Sequence, residues 1–252
     1  MIFTNLIQSN LKTSFIGRHI EYFSFTDSTN DDAWEIISNN EEKHGMIIIT
    51  DHQKNGRGRR GNKWISTAGN NLTFSLILKE IESDILELLP ILSSVAIVRG
   101  IQNFTNITCN LKWPNDIIIN NKKVGGILIE SKKYQENQYV VIGVGLNIND
   151  EEIPGEIKHI ASTLKIESSR SIQREPLLAF ILNEFEKIYM GEKKQLICDW
   201  KTYCNHLNQK INFHQDDKLV EGLFIDIDNK GHAIIEINEQ EIKMSSGVLE
   251  IL

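Results

Sequence analysis

Residues 51 to 64, DHQKNGRGRRGNKW, constrain the fold more than any other stretch of the chain. Glycine alternates with arginine there, and so many glycines oppose both a regular helix and a regular strand. The cations of this loop would repel one another unless an anion lay among them; they are Arg57, Arg59, Arg60 and Lys63. A phosphate or a carboxylate fits, because a planar guanidinium binds either through two parallel hydrogen bonds. A solvated basic loop that only keeps the protein soluble is the alternative.

The segments around this arginine loop predict several strands. MIIIT at 46–50 is a short apolar run that ends where the loop begins, which is typical of a buried strand. LTFSLIL at 72–78 and YVVIGVGLNIN at 139–149 predict two more, the second of them central. DIIIN and VGGILIE, joined by the turn residues 120–122, predict a hairpin. Residues 1–20 carry little signal, and we expect one strand there.

Apolar residues at helical spacing predict four helices. The first should run from about Ser28 to Asn39, because Asp32 follows Thr29 at capping-box spacing. The others are expected at 88–104, with Pro90 in the first turn, and at about 177–190 and 193–204. From residue 210 onward the helical period gives way to short strands, which predict a small β-barrel of about forty residues. We therefore expect two domains, 1–208 and 209–252.

The overall charge limits the classes of partner. The formal net charge is −7, which argues against a broad nucleic-acid or membrane-binding face, so we expect neither partner. Three cysteines, spaced neither for zinc nor for a disulfide framework, predict buried thiols in a reducing compartment. The N-terminal stretch lacks the charged region of a secretory signal, and the apolar stretch at 86–101 is interrupted by proline, serines and an arginine. The expected location is the cytoplasm.

Three further motifs carry candidate chemistry. In KWPND (112–116) the proline directs the chain so that Asn115 and Asp116 point to a defined place, although a plain turn would use the same residues. In KKVGGILIE, a glycine pair inside a strand indicates a bulge or a ligand against the backbone, and Lys123 is either a turn residue or a cation above that ligand. GVGLNIN lacks the third glycine of a dinucleotide fingerprint, and the chain has no Walker loop.

Five motifs in order resemble the catalytic domain of the biotin protein ligases, the biotin–[acetyl-CoA-carboxylase] synthetases. They are DSTN at 27–30, QKNGRGRRGNKW at 53–64, KWPND at 112–116, KVGGIL at 123–128 and GVGLNIN at 143–149. The resemblance covers about residues 20–252. It implies an α+β fold of the class II aminoacyl-tRNA synthetase type, in which helices pack on a mixed, largely antiparallel sheet on one side, followed by an SH3-like β-barrel.

The same resemblance implies the chemistry and the site residues. The biotin carboxylate attacks the α-phosphate of ATP, with Mg²⁺ as cofactor, to give biotinyl-5′-AMP and pyrophosphate, and a lysine of a biotin carboxyl carrier domain then attacks the anhydride. The implied biotin contacts are Ser28, Thr29, Asn30, Gln53, Arg57, Gly58, Arg59, Lys123 and Gly126. The implied nucleotide contacts are Arg59, Arg60, Trp64, Asn115, Lys123 and Asn147. We count as catalytic Arg57, Arg59, Lys123, Asp116 and Lys112, with Asp116 as acceptor or orienter of the lysine proton and no protein metal site.

Two departures and two alternatives accompany this interpretation. Asn62 replaces a basic residue that many relatives carry, and ASTL at 161–164 reverses the hydroxyl order of the usual motif.

No helix-turn-helix pattern precedes the arginine loop, so we expect a monofunctional ligase without a repressor role. The carrier domain should dock by pairing an edge strand, and a homodimer is compatible with the family. A lipoate or octanoate ligase of the same superfamily is the first alternative, and an arginine-loop nucleic-acid binding module is the second.

Overall fold

The computed structural model describes residues 1–215 and 218–251 and contains six helices and twelve strands over that part of the chain. In chain order these elements are α1 (Thr4–Asn10), β1 (Ile20–Phe23), α2 (Thr29–Ser38), β2 (Ile47–Thr50), β3 (Leu72–Lys79), α3 (Ser83–Thr105), β4 (Asn110–Lys112), β5 (Asp116–Ile119), β6 (Lys122–Tyr134), β7 (Asn137–Leu146), α4 (Leu164–Ser168), α5 (Arg174–Tyr189), α6 (Lys193–Tyr203), β8 (Gln209–Gln215), β9 (Lys218–Ile227), β10 (Ala233–Ile237), β11 (Gln240–Met244) and β12 (Leu249–Ile251).

Seven strands form one mixed sheet in the order β1-β2-β3-β7-β6-β5-β4. Only the β1–β2 pair is parallel among the described strands, so the predicted mixed, largely antiparallel sheet is confirmed. The strand predicted to be central, β7, occupies the middle of the order. The β5–β6 hairpin turns through Asn120 and Asn121, both with positive φ, as a tight two-residue turn requires.

Helices cover both faces of this sheet, so the expectation of helices on one side was wrong. Ile47 and Ile49 of β2 point into the main core, which α3 and α5 share, because alternate residues of a strand face opposite ways. Ile48 between them points to a second, smaller cluster with Ala33 and Ile37 of α2. The helix α2 therefore lies alone on the face opposite to α3, and its N-terminus reaches the middle of the sheet.

Two local predictions also fail. The stretch before β1 contains the helix α1 instead of a strand, and this helix has no side-chain cap and buries a single residue, Ile7. The helix α3 begins at Ser83, so Pro90 lies inside it and not in its first turn. The strong apolar period from residue 88 onward located the helix but gave no sign of the more polar turn that precedes it.

The C-terminal strands form a second, five-stranded antiparallel sheet in the order β11-β10-β9-β8-β12. The last predicted strand is split into β11 and β12 around residues 245–248. The described strands end in two unpaired edges, so closure into an SH3-like barrel stays a prediction, as does the 208/209 boundary. The two sheets meet at Trp113, whose Nε1 donates to the carbonyl of Gly231 at 2.9 Å. None of the described helices is long and apolar enough to cross a membrane.

Candidate active site

A cleft opens over the middle of the first sheet, between the arginine loop and the start of α2. It is lined by the α2 N-terminus at 28–30, residues 53 and 57–64 of the arginine loop, Thr73 of β3, the turn at 112–116, the glycine-containing parts of β6 and β7, and residues 247–249 of the C-terminal sheet. Every residue predicted for the site lines this cleft except Asn147, and the set comprises Ser28, Thr29, Asn30, Gln53, Arg57, Gly58, Arg59, Arg60, Trp64, Lys112, Asn115, Asp116, Lys123 and Gly126.

Asn147 lies in an adjoining cleft, which shares Lys63, Trp64 and Lys123 with the first. Its Nδ2 donates to the carbonyl of Ser162 at 3.1 Å, so the amide already holds the loop before α4. In the same loop Thr163 caps α4 by accepting from the amide of Ile166. The hydroxyls of the ASTL motif and the Asn147 amide group thus have structural partners within the chain.

The arginine loop forms a tight hairpin-like turn. The amide of Trp64 donates to the carbonyl of Gly56 at 2.9 Å, and the amide of Gly58 donates to the carbonyl of Asn62 at 2.7 Å. The turn between them uses positive φ at Arg60 (56°) and Gly61 (76°). Glycine is required at position 56, because a Cβ there would lie 2.5 Å from the Trp64 carbonyl oxygen. The basic residues are therefore presented from a defined backbone over the cleft.

The end of the cleft at α2 is neutral and rich in hydrogen bonds. Gln53 Oε1 accepts from the amide of Thr29 at 2.8 Å and from its hydroxyl at 3.0 Å. The hydroxyl of Ser75, fully buried on β3, lies 2.7 Å from Thr29 Oγ1 and 2.6 Å from Asn30 Oδ1. Buried polar groups need such partners, and an uncharged set of donors and acceptors fits a neutral polar ligand head.

The predicted capping box is absent from the start of α2. Ser28 precedes the helix, as predicted, but its side chain caps no amide, and the Thr29 amide is satisfied by Gln53 instead. The carboxylate of Asp32 accepts from the hydroxyl of Thr26 at 2.9 Å. Burial of Asp32, aided by neighbouring carboxylates and opposed by that bond, raises its pKa above the usual range. The residues predicted to cap α2 thus have other partners or none, and the Ser28 hydroxyl can bind a ligand in the cleft.

The other end of the cleft is cationic, and the chain supplies anions to several of its cations. Lys123 Nζ lies 2.6 Å from Asp116 Oδ1, across the β5–β6 pair. Arg59 donates to Asn115 Oδ1 at 3.0 Å. Burial, with repulsion from Arg60, lowers the pKa of the Arg59 guanidinium, but that group stays charged at any physiological pH. An anionic ligand therefore enters by exchanging with partners that are already present.

Arg57, which the resemblance counts among the catalytic and biotin-binding residues, already has carboxylate partners within the chain. Its guanidinium pairs with Asp31 Oδ1 at 2.5 Å and lies 3.4 Å from Glu130 Oε1. The side chain is 45% exposed, so these contacts tie the loop to α2 and β6 at the rim of the cleft. Its sequence position gave no sign of this, because both carboxylates come from distant parts of the chain.

Glycines on β6 and β7 form the floor of the cleft. A Cβ on Gly145 would lie 2.2 Å from the indole ring of Trp64, and one on Gly143 would lie 2.4 Å from Asn30 Oδ1. A Cβ on Gly126 would lie 3.0 Å from the Lys123 side chain. These glycines let side chains approach the sheet backbone closely. The Trp64 Nε1 is buried without a hydrogen-bond partner among the described residues.

Sequence reasoning missed Ser75, Glu130 and the segment 247–249. Ser75 and Thr73 alternate on one face of the otherwise apolar strand β3, and both are buried. Two polar residues at that spacing in a buried strand were the signal that could have found them. Glu130 and the segment 247–249 had no comparable signal. Their proximity to the cleft depends on the pairing of β6 and on the packing of the second sheet against Trp113.

The described residues contain no cluster of three or more histidine, cysteine, aspartate or glutamate side chains that could hold a metal ion. Asp116 is the carboxylate that lines the cleft. This carboxylate could bind Mg²⁺ only together with phosphate groups of a ligand, since Mg²⁺ is commonly bound through one or two carboxylates and substrate phosphates.

Comparison with known proteins identifies the family. The profile of the biotin/lipoate A/B protein ligase family matches residues 22–147. The bifunctional ligase/repressor BirA of Bacillus subtilis (strain 168) is 33% identical over 253 residues, covering 97% of this chain and 78% of the relative. The biotin–[acetyl-CoA-carboxylase] ligase of Mycobacterium tuberculosis is 26% identical over 262 residues, covering 96% of this chain and 94% of the relative.

The fold agrees with that assignment. The structure of the biotin protein ligase from Aquifex aeolicus in complex with biotin and ATP superimposes with a TM-score of 0.80 at 26% identity, covering 93% of this chain and 99% of that one. The family profile spans half of the chain, and the Bacillus relative is matched over most of its length. The chain therefore belongs to the biotin/lipoate A/B protein ligase family and is an enzyme of the ligase class.

Proposed function

We propose that this enzyme biotinylates a lysine of a biotin carboxyl carrier domain, using ATP and forming biotinyl-5′-AMP with release of pyrophosphate. One observation carries the proposal: a single cleft joins a neutral hydrogen-bonding end, at Thr29 and Gln53, to a cationic end, at Arg59 and Lys123. Biotin has a neutral ureido head and an anionic carboxylate tail, so it matches this polarity from end to end. The complex of the Aquifex aeolicus enzyme with biotin and ATP supports the same ligand pair.

The first step joins a carboxylate to a phosphate, so catalysis depends on neutralising two anions and aligning them. The ureido head lies against Ser28, Thr29, Asn30 and Gln53, with Gly58 and Gly126 allowing close approach. Lys123 leaves Asp116 and bridges the biotin carboxylate and the α-phosphate. Arg59 and Arg60 bind phosphate oxygens, while Trp64 covers the adenine and Asn115 and Asn147 contact the nucleotide. Arg57 acts from the rim, where it holds the loop against Asp31.

The second step needs a neutral amine, although the reference pKa of lysine is about 10.4. Asp116 accepts or orients the proton of the incoming lysine once Lys123 has turned to the acyl phosphate. Lys112 faces Asp116 across the β4–β5 pair and lines the same cleft, so we count it among the catalytic residues beside that carboxylate. Aminolysis then transfers the biotinyl group to the lysine and releases AMP.

Mg²⁺ belongs to this proposal as the counter-ion of ATP: Asp116 would help to hold it together with the phosphate groups, and it would neutralise part of the triphosphate charge. The partner is a carrier domain that docks by strand pairing, and the edges of the described seven-stranded sheet are β1 and β4. We also propose that the protein can self-associate through such an edge and that it is located in the cytoplasm. Its domains would be residues 1–208 and 209–252. The proposed function covers ligation alone and assigns no described part of the chain to transcriptional repression.

The decisive experiment incubates the protein with biotin, Mg·ATP and a purified carrier domain and measures the mass of the carrier. We expect the increase of one biotinyl group, together with biotin-dependent exchange of labelled pyrophosphate into ATP. The control is a carrier domain with its acceptor lysine replaced by arginine. Mass transfer from lipoate or octanoate but not from biotin would assign the chain to the other branch of the family.

The nucleic-acid alternative is weaker. The cations of the arginine loop line a single cleft, and Arg57 is paired with two carboxylates of the chain, whereas nucleic-acid binding needs a broad basic face. Tight binding of RNA or DNA that weakens steeply with salt, without any adenylation of biotin, would reverse this preference.

A further inference from the structure

The carboxylate of Glu130 on β6 faces three donor groups, two from α2 and one from the arginine loop. Its Oε2 accepts from Asn30 Nδ2 at 2.9 Å and from Trp34 Nε1 at 3.0 Å, and its Oε1 lies 3.4 Å from the guanidinium of Arg57. The side chain is 23% exposed, so these contacts are partly shielded from water. Glu130 ends the KKVGGILIE stretch, from which the sequence predicts no role for it, yet it joins the start of α2 to the arginine loop.

A carboxylate can only accept hydrogen bonds, and this property fixes the amide of Asn30. The NH₂ group of Asn30 must face Glu130, so its Oδ1 must face the other way. That oxygen lies 2.6 Å from the hydroxyl of Ser75 and above Gly143, where a Cβ would come within 2.4 Å of it. Asn30 is 3% exposed and lines the cleft, and turning its amide over would set its oxygen against the Glu130 carboxylate, which cannot donate.

We propose that Glu130 is a positioning residue that makes Asn30 present a hydrogen-bond acceptor to the ligand head. The amide oxygen has a second lone pair beyond the one engaged by Ser75, and a ligand N–H can use it. The cleft thereby selects a head that carries N–H groups, such as a cyclic urea, and disfavours one whose nitrogens are alkylated. This inference rests on the proposed function, since it assumes that biotin is the ligand.

Glutamine at position 130 cannot serve the three donors. One of its two terminal atoms is an NH₂ group, which must oppose either the Asn30–Trp34 pair or Arg57. If it opposes Asn30, the Asn30 amide gains by turning over, and its NH₂ then faces the cleft. Glu130→Gln is therefore expected to raise the KM for biotin about tenfold, as for one unsatisfied buried group, while kcat changes less than about twofold.

The test measures biotin-dependent pyrophosphate exchange with biotin and with an analogue that is N-methylated on the ureido ring. The unaltered chain should discriminate strongly against the analogue, and Glu130→Gln should lose about tenfold of that discrimination. A structural role alone would weaken both ligands equally, so the ratio separates the two explanations. Glu136→Gln removes the same charge from an exposed turn at the other end of β6 and should leave both KM values unchanged.

A double-mutant cycle guards against a variant that is merely unstable. If Glu130 acts through Asn30, then Glu130→Gln should add little to the KM of Asn30→Ala. Additive effects, or an unchanged ratio between biotin and the analogue, would overturn the inference while leaving the proposed function intact. Failure of the unaltered chain to exchange pyrophosphate with biotin would instead overturn the proposed function, and this inference with it. If Glu130→Gln does not fold, Asn30→Ala provides the test: it should lose the discrimination between biotin and the analogue, and an unchanged ratio would overturn the inference.

Discussion

In the proposed mechanism Lys123 is the most important single side chain of the cleft. It follows the tight β5–β6 turn, its ammonium group lies 2.6 Å from Asp116, and its stem passes beside Gly126. A flexible lysine in this place can leave its carboxylate and follow a charge that moves from acyl oxygen to phosphate. The strand that carries it also carries Glu130, so one element positions both the charged and the neutral ends of the site.

Lys123→Ala should lower the rate of biotin-dependent pyrophosphate exchange by about a hundredfold or more, the usual cost of removing a preorganised charge. The matched control is Lys133→Ala, an exposed lysine on the same strand, which should retain full activity. Comparable activity in the two variants would show that the charge at position 123 takes no part in the adenylation step.

A second prediction concerns Gly145, which matters because it has no side chain and so leaves room for Trp64. A methyl group there would lie 2.2 Å from the indole of Trp64, so Gly145→Ala must displace that ring from the sheet. We expect the KM for ATP to rise about tenfold or more, since one stacking contact contributes roughly 1–3 kcal/mol. Gly155→Ala, at a position where a Cβ meets nothing within 4 Å, should leave the KM for ATP unchanged.

At the scale of elements, α5 secures the N-terminal segment through one carboxylate. Glu186, 8% exposed, accepts hydrogen bonds from the consecutive amides of Ser14, Phe15 and Ile16. Burial alone would raise the pKa of this carboxyl, but the backbone hydrogen bonds outweigh it, and the pKa falls below its usual value. The segment between α1 and β1 has no regular structure of its own, so its path depends on these bonds.

Glu186→Gln should reduce the free energy of unfolding by about 1–3 kcal/mol at neutral pH, measured by urea denaturation. Because the folded-state pKa is depressed, the carboxylate stabilises the fold above its unfolded-state pKa. The difference between the two proteins should therefore shrink as the pH falls through the folded-state pKa. Glu184→Gln, on the same helix with one exposed hydrogen bond to Asn103, should change stability by less than about 0.5 kcal/mol. A difference that is independent of pH would contradict this assignment.

Elements with a strong period could be predicted from the sequence, and those held by distant contacts could not. The strands β2, β3 and β7 and the helices α2, α5 and α6 have their own apolar patterns, and each was predicted within a few residues. The helix α1 lacks a cap and buries only Ile7, so packing on α5 determines it. In the site, residue types followed from motifs, whereas the pairs Arg57–Asp31 and Asn30–Glu130 join residues far apart in sequence.

At the scale of the whole molecule, a buried imidazole joins the two sheets behind the turn at 112–116. His206 is fully buried, its Nε2 accepts from the amide of Trp113 at 3.3 Å, and its Nδ1 lies 3.3 Å from the sulfur of Cys204. The ring also stacks on Phe224 of the second sheet, at 5.1 Å between centroids. Burial, aided by the positive charge of Lys112, lowers the pKa of His206 to about 4.

This depressed pKa predicts a loss of stability in acid. The unfolded chain binds a proton on His206 below about pH 6.5, whereas the folded protein does not bind it until about pH 4, so stability falls across that interval. Between pH 6.5 and 5 the contribution is about 2 kcal/mol. The urea midpoint of His206→Gln should depend less on pH than that of the unaltered protein, while His159→Gln, at an exposed position, should match the unaltered protein. Parallel pH profiles for all three would show that folding leaves the pKa of His206 unchanged.

The carboxylate partners of Lys123 and Arg57 also affect which anions the cleft binds. Chloride or inorganic phosphate should bind there with little gain in free energy, because it must displace Asp116 from Lys123 and so only replaces one ion pair with another. A molecule that bears several negative groups on one framework can replace several internal partners at once, and each contact raises the local concentration of the next. The cleft should therefore bind simple salt anions weakly and should favour ligands that carry several negative groups.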